Sequence, residues 1–254
     1  MIFCMACEFK LRPNEDDDQY ARIEVQRYDR LESRYITTGD FSALQQMNTE
    51  YPIETRTLIE KILQLGRVDD PEISNKFLRY YQDTTLQILV ADTEAEYANM
   101  DDINKGLQDA FDKLKKWLPN LLVPRFYAQI GSLDQSIVVG DKSVGICLDK
   151  YLGEHYPIYK KYYSSSQIES MVRTYIVPDC LSFYLLSQYP IDNYDSRTQI
   201  ERDLHMGKVM WVVNKAIGRQ FYKTKFVSMV EKFMNSHKNV TVATLLINDD
   251  YSEF

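Results

Sequence analysis

The chain has 254 residues, with 30 Lys and Arg against 37 Asp and Glu, for a net charge of -7. Hydrophobic residues make up 44% and charged residues 26%, the balance of a globular protein, which excludes wholesale disorder, collagen-like repeats and a coiled coil. No run approaches the length of a transmembrane helix, and an acidic chain without a basic block is not built to grip nucleic acid phosphates. Three His and four Cys are too few for a zinc-finger array or a disulfide scaffold.

The chain opens Met1-Ile2-Phe3-Cys4-Met5-Ala6-Cys7. Six residues before Cys7 are too few for the apolar stretch of a secretory signal. Cys4-Met5-Ala6-Cys7 nevertheless resembles the end of a bacterial lipoprotein signal, where a small residue precedes the Cys that takes the lipid. One reading is lipidation at Cys7, with a coding sequence that begins further upstream; the other is a cytosolic protein with an incidental Cys. Residues 8–19 include Glu15-Asp16-Asp17-Asp18, a solvated acidic stretch suited to a tether. The expected division is a signal remnant and tether over 1–20 and a single domain over 21–254.

Residues 23–28 read as a short strand or a helix start. Asp40 is a candidate cap for a helix bearing Phe41, Leu44 and Met47. Pro52 opens another with Leu58, Ile59 and Ile62 inward, closed by Gly66. Asp70-Pro71 starts a helix with Ile73, Phe77 and Tyr81, continued after a break by Leu86, Leu89 and Val90. The clearest helix follows, with Asp101 as its expected cap and Ile103, Leu107, Ala110, Phe111, Leu114 and Trp117 or Leu118 at helical spacing. Three strand-like pieces come next, at 125–130, 136–139 and 143–148, with a hairpin turn at Gly140-Asp141. Residues 151–166 are Tyr-rich and irregular. Helices are predicted over 167–186, interrupted by Pro178, over 197–217, ended by Gly218, and over 223–236; residues 240–247 read as a final strand. The fold class is α+β, predominantly helical with one small sheet.

Several stretches in this order resemble the gliding-motility lipoprotein B (GldB) family of Bacteroidota. They are Arg27-Tyr28-Asp29, Asp109-Ala110-Phe111, Leu118-Pro119-Asn120, Val123-Pro124, the run from Gly145 through Asp149 and Tyr151 to Gly153, Tyr175 to Asp179, and Met206-Gly207-Lys208. The resemblance departs from about residue 219 onward. It implies a lipoprotein, consistent with Cys7, and a layout similar to zinc-dependent peptidases. Such enzymes carry H-E-x-x-H, in which two His on one helix face hold zinc while Glu activates water. No such motif occurs here. The helix in that place carries Pro178, Asp179 and Ser182, and His155, His205 and His237 include no i, i+4 pair.

Each candidate has a structural and a functional reading. Asp149 either accepts backbone N–H bonds to fix a turn or points into a cleft. Asp179 either stabilises a helix start or replaces a catalytic carboxylate. His205 and Lys208 share a helix face, either solvated or capped, or else binding an anion or facing Asp179. His155 sits among Tyr156, Tyr159, Tyr162 and Tyr163, which either cover a junction or form a binding surface. Cys147 and Cys180 read as buried free thiols rather than a disulfide.

The leading expectation is a non-catalytic, lipid-anchored cell-envelope protein that binds envelope proteins or peptidoglycan. It uses no cofactor or metal, and it meets the membrane only through its N-terminal lipid. Its binding residues would come from Asp149, Tyr151, His155, Tyr175, Asp179, His205 and Lys208. The alternatives are a divergent hydrolase of peptide or peptidoglycan, using Asp179, His205 or Asp149, and a periplasmic ligand-binding module.

Overall fold

A computed structural model describes residues 22–254. The first half is helical: α1 (Tyr28–Thr38), α2 (Phe41–Glu50), α3 (Pro52–Thr57), which runs on as a π-helical turn over Leu58–Ile62, α4 (Ile73–Tyr80), α5 (Thr84–Glu96) and α6 (Asp101–Trp117). The sheet follows as β1 (Arg125–Gln129), β2 (Ile137–Val139) and β3 (Ser143–Cys147). The chain then forms α7 (Ser165–Ile168), α8 (Ile176–Gln188), α9 (Gln199–Ile217), α10 (Lys225–Ser236) and α11 (Val242–Ile247). This is the α+β class expected, mostly helical with a small open sheet. Nothing in the layout of the described residues ties it to a zinc-peptidase scaffold.

The sheet order is β1-β3-β2. β1 runs parallel to β3, with Phe126 opposite Val144, and β2 runs antiparallel to β3, with Val138 opposite Gly145. After β1 the chain therefore skips one strand position, forms β2, and turns back to fill the gap with β3. In the loop after β1, Ser132 and Leu133 have φ of 51° and 68°, a left-handed conformation uncommon for residues other than glycine. On the far edge of β1, Gln26 bridges Tyr127, donating its N–H to Phe126 (2.9 Å) and accepting from Ala128 (2.8 Å). Residues 23–28 thus supply both a strand contact and, from Tyr28, a helix.

Side chains alternate across the sheet because successive residues of a strand face opposite ways. Phe126, Ala128, Val144 and Ile146 join α6, α8, α9 and α10 in the larger core. Tyr127 joins Tyr28, Tyr35, Met47, Phe77 and Tyr81 in a second core on the other side. The expected stripe of α6 is buried throughout, from Ile103 to Leu114.

Several boundaries differ from expectation. Asp40 caps α2 through the Ser42 N–H as expected. Asp101, however, is the first residue of α6, where its charge favours the N-terminal end of the helix dipole. The helix after Asp70-Pro71 begins only at Ile73, and the run through Leu86, Leu89 and Val90 is a separate helix capped by Asp83. The helix expected over 167–186 is broken by an isolated bridge between Leu152 and Val172 and a 3-10 turn at Arg173–Tyr175. Pro178 lies in the first turn of the fresh helix α8, where its missing N–H has no intrahelical acceptor to lose.

The strand expected over 240–247 is a helix. Thr241 caps it through the Thr244 N–H, while Leu245 and Leu246 pack into the core and Ile247 is exposed. The β-branched residues there suggested a strand, and helical burial overrode that local preference.

Candidate functional site

Asp149 follows β3 and is fully buried. Its carboxylate accepts from the main-chain N–H of Gly131 (2.7 Å) and of Leu133 (2.5 Å). Those amides belong to the crossover loop, so Asp149 fastens the loop across the sheet rather than opening into a cleft. Burial pushes its pKa up to about 6, against the opposing effect of the two amides. Glu32 of α1 does the same from the other side. It accepts from the Ile130 N–H (2.9 Å) and the Tyr81 hydroxyl (3.2 Å), and burial raises its pKa well above the usual carboxylate range. Sequence reasoning missed Glu32; its signal is its place one helical turn after the buried Tyr28.

Asp179, in the first turn of α8, does not cap its own helix. Its carboxylate accepts from the hydroxyls of Tyr151 (2.8 Å) and Tyr222 (3.2 Å), and Tyr222 in turn pairs with Ser182 (3.1 Å). Tyr151 is itself fixed by the Tyr97 hydroxyl, which donates to its carbonyl at 2.6 Å. Tyr151 and Asp179 face a cavity of about 220 Å³ that is also lined by Ser136, Lys150, Tyr163 and Gln167 among others. Tyr222, Tyr97 and Lys150 were not singled out from the sequence, because their role depends on contacts between segments far apart in the chain.

Burial pushes the Asp179 pKa up to about 6. The folded state therefore holds this proton more tightly than the unfolded chain, whose Asp titrates near pH 4. The stability this group confers is greatest below about pH 4 and is lost as pH rises through about 6. Urea unfolding of wild type and Asp179→Asn is expected to show wild type gaining about 2–3 kcal/mol relative to the variant between pH 7 and pH 4. A pH-independent difference would contradict the buried, unpaired carboxylate.

His205 and Lys208 are not on a solvated face, as expected, but buried. His205 Nε2 donates to the Tyr189 carbonyl (2.9 Å), which leaves Nδ1 to accept from the Tyr251 hydroxyl (3.1 Å). Burial lowers its pKa. Lys208 Nζ donates to the Asn248 carbonyl at 2.6 Å and lies 4.4 Å from the Tyr251 ring centre; burial lowers its pKa to about 8. The two residues fasten the C-terminal segment to α9 and make no contact with Asp179. His155 is exposed and lies 3.5 Å from Glu154. Tyr156, Tyr159 and Tyr163 pack on one another over a small core with Leu89, Leu133 and Ile158, leaving Tyr162 exposed. Tyr175 packs edge-on against Phe221 at 4.5 Å. Cys147 and Cys180 are free and buried. The Cys7 expectation and the 1–20 tether lie outside the described residues.

Residues 10–226 match the family described as Gliding motility protein GldB. The chain belongs to the GldB family. No curated protein and no solved structure matches it. Membership makes the protein one of the GldB lipoproteins, with a role in the cell envelope. Among the described residues, no helix is long and apolar enough to cross a membrane, and no three His, Cys, Asp or Glu side chains are grouped to hold a metal. The residues that carry the GldB resemblance have visible structural work. Arg27 forms an ion pair with the buried Asp29 (2.7 Å), Asp149 fastens the crossover loop, and Gly207 lets α9 approach α10.

Proposed function

We propose that this GldB-family chain is a lipid-anchored, non-enzymatic binding component of a cell-envelope assembly. The lipid sits on Cys7, residues 8–19 hold the domain away from the membrane surface, and the domain contacts envelope proteins or peptidoglycan. The family match over 10–226 carries this reading. It is supported by the way the candidate acids and bases are used. Asp149 is closed by backbone amides and His205 is engaged at both ring nitrogens, while Asp179 is braced by two tyrosine hydroxyls and belongs to no cluster able to hold a metal among the described residues. General acid–base hydrolysis needs a group free to exchange a proton with substrate or water. In this reading the helix that would bear a peptidase motif, α8, serves a binding scaffold instead.

Expressed in its native host, the chain is expected to incorporate labelled palmitate and to fractionate with membranes. Cys7→Ser should lose both the label and the membrane association while leaving the domain folded. Label retained by the variant would refute anchoring at Cys7. Release of soluble fragments from peptidoglycan by the purified protein, abolished in Asp179→Asn, would refute the non-enzymatic part.

A further inference from the structure

The cavity beside Asp179 brings two opposite charges to one small space. Lys150 follows Asp149 in the turn after β3, and Asp179 lies in the first turn of α8; both line the same cavity of about 220 Å³. Neither forms an ion pair among the described residues. Lys150 Nζ donates to the Leu133 carbonyl (3.2 Å) and the Tyr163 hydroxyl (2.9 Å). An ammonium has three donors, so one remains. No hydrogen bond or ion pair joins Lys150 to the adjacent Asp149, whose oxygens face the amides of Gly131 and Leu133. The Asp179 carboxylate accepts two tyrosine hydroxyls, and its oxygens offer about four lone-pair sites, so about two remain. A buried carboxylate with no cationic partner is costly to keep ionised. A ligand cation would remove that cost.

We propose that this cavity binds a small zwitterion, an amino acid or short peptide, with its ammonium on Asp179 and its carboxylate on Lys150. The size fits: pockets for drug-sized ligands run roughly 300–1,000 Å³, and this cavity of about 220 Å³ falls below that range, suiting a ligand smaller than drug-sized. The remaining lining is polar enough to suit such a ligand, with Ser136, Gln167 and the Tyr151 hydroxyl at hand. A singly charged ligand would leave one of the two protein charges unmet. The proposal names a ligand for the binding role above.

The test is titration calorimetry on the purified chain with alanine, dialanine and γ-aminobutyrate, against propionate and ethylamine. The zwitterions are expected to bind saturably and about 10- to 100-fold more tightly than either single-charge analogue, the usual weight of one charged hydrogen bond. This comparison uses wild type alone and does not depend on how any variant folds. Which zwitterion binds best distinguishes a free amino acid from a peptide source. Asp179→Asn is expected to erase the preference for alanine over propionate, and Lys150→Gln the preference for alanine over ethylamine. Equal affinity for zwitterions and single-charge analogues would overturn the proposal, as would no saturable heat with any of them. That failure would leave palmitate labelling at Cys7 untouched, so it is distinguishable from failure of the anchoring reading.

Discussion

Asp149→Ala is expected to destabilise the domain by about 2–6 kcal/mol, since it strands two buried N–H donors at about 1–3 kcal/mol each. The donors are Gly131 and Leu133, and no other acceptor is bonded to them in the structure. Their loop also holds Ser132 and Leu133 at positive φ, a conformation that persists only where its surroundings enforce it. Asp149→Asn keeps one acceptor but turns an NH₂ group toward the second amide, so its loss should fall between wild type and Ala. Equilibrium urea unfolding measures the cost. Hydrogen exchange locates it: the amides of 131 and 133 should lose protection first. An unchanged unfolding midpoint for Asp149→Ala would mean that the carboxylate does not fasten the loop.

Gly207→Val is expected to cost about 3 kcal/mol or more through overpacking. A Cβ at this position would lie 2.7 Å from the Phe226 Cβ and 3.0 Å from its carbonyl carbon. The obstacle includes main chain, so a rotamer change cannot relieve it, and α10 must move away from α9. Gly207→Ala makes the sharper test of sign. Helix propensity alone favours Ala over Gly by about 1 kcal/mol, so a stabilised Ala variant would show that the helices are not in close contact there. A destabilised one, measured by thermal or urea unfolding, would confirm the contact.

Both positions belong to stretches that carry the GldB resemblance, and in both the side chain, or its absence, serves internal fit. The same holds for Arg27 and Asp29, which pair at 2.7 Å with Asp29 buried. Asp179 is the exception. It is braced by Tyr151 and Tyr222 yet keeps lone pairs toward a cavity, and it shares that cavity with a lysine that also has a donor left. The C-terminal segment has its own anchorage. His205 and Lys208 hold Tyr251 and Asn248, so residues beyond the family match are bound to a helix within it.

The sequence alone determined the α+β class, the stripe of α6, the hairpin between β2 and β3, the end of α9 at Gly218 and the family. These rest on local signals, such as helical spacing, turn residues and ordered short motifs, which are legible wherever neighbouring residues carry the instruction. Asp149 as a backbone acceptor was also legible, because Asp after a strand has few other common uses. Only the tertiary structure decided what is set by partners far apart in the chain. It made 242–247 a helix by burying Leu245 and Leu246, turned His205 and Lys208 inward against a tail some 40 residues away, and brought Tyr222 to Asp179. It also placed Lys150 and Asp179 on one cavity. Burial and charge pairing depend on which surfaces meet, and no spacing along the chain encodes that meeting.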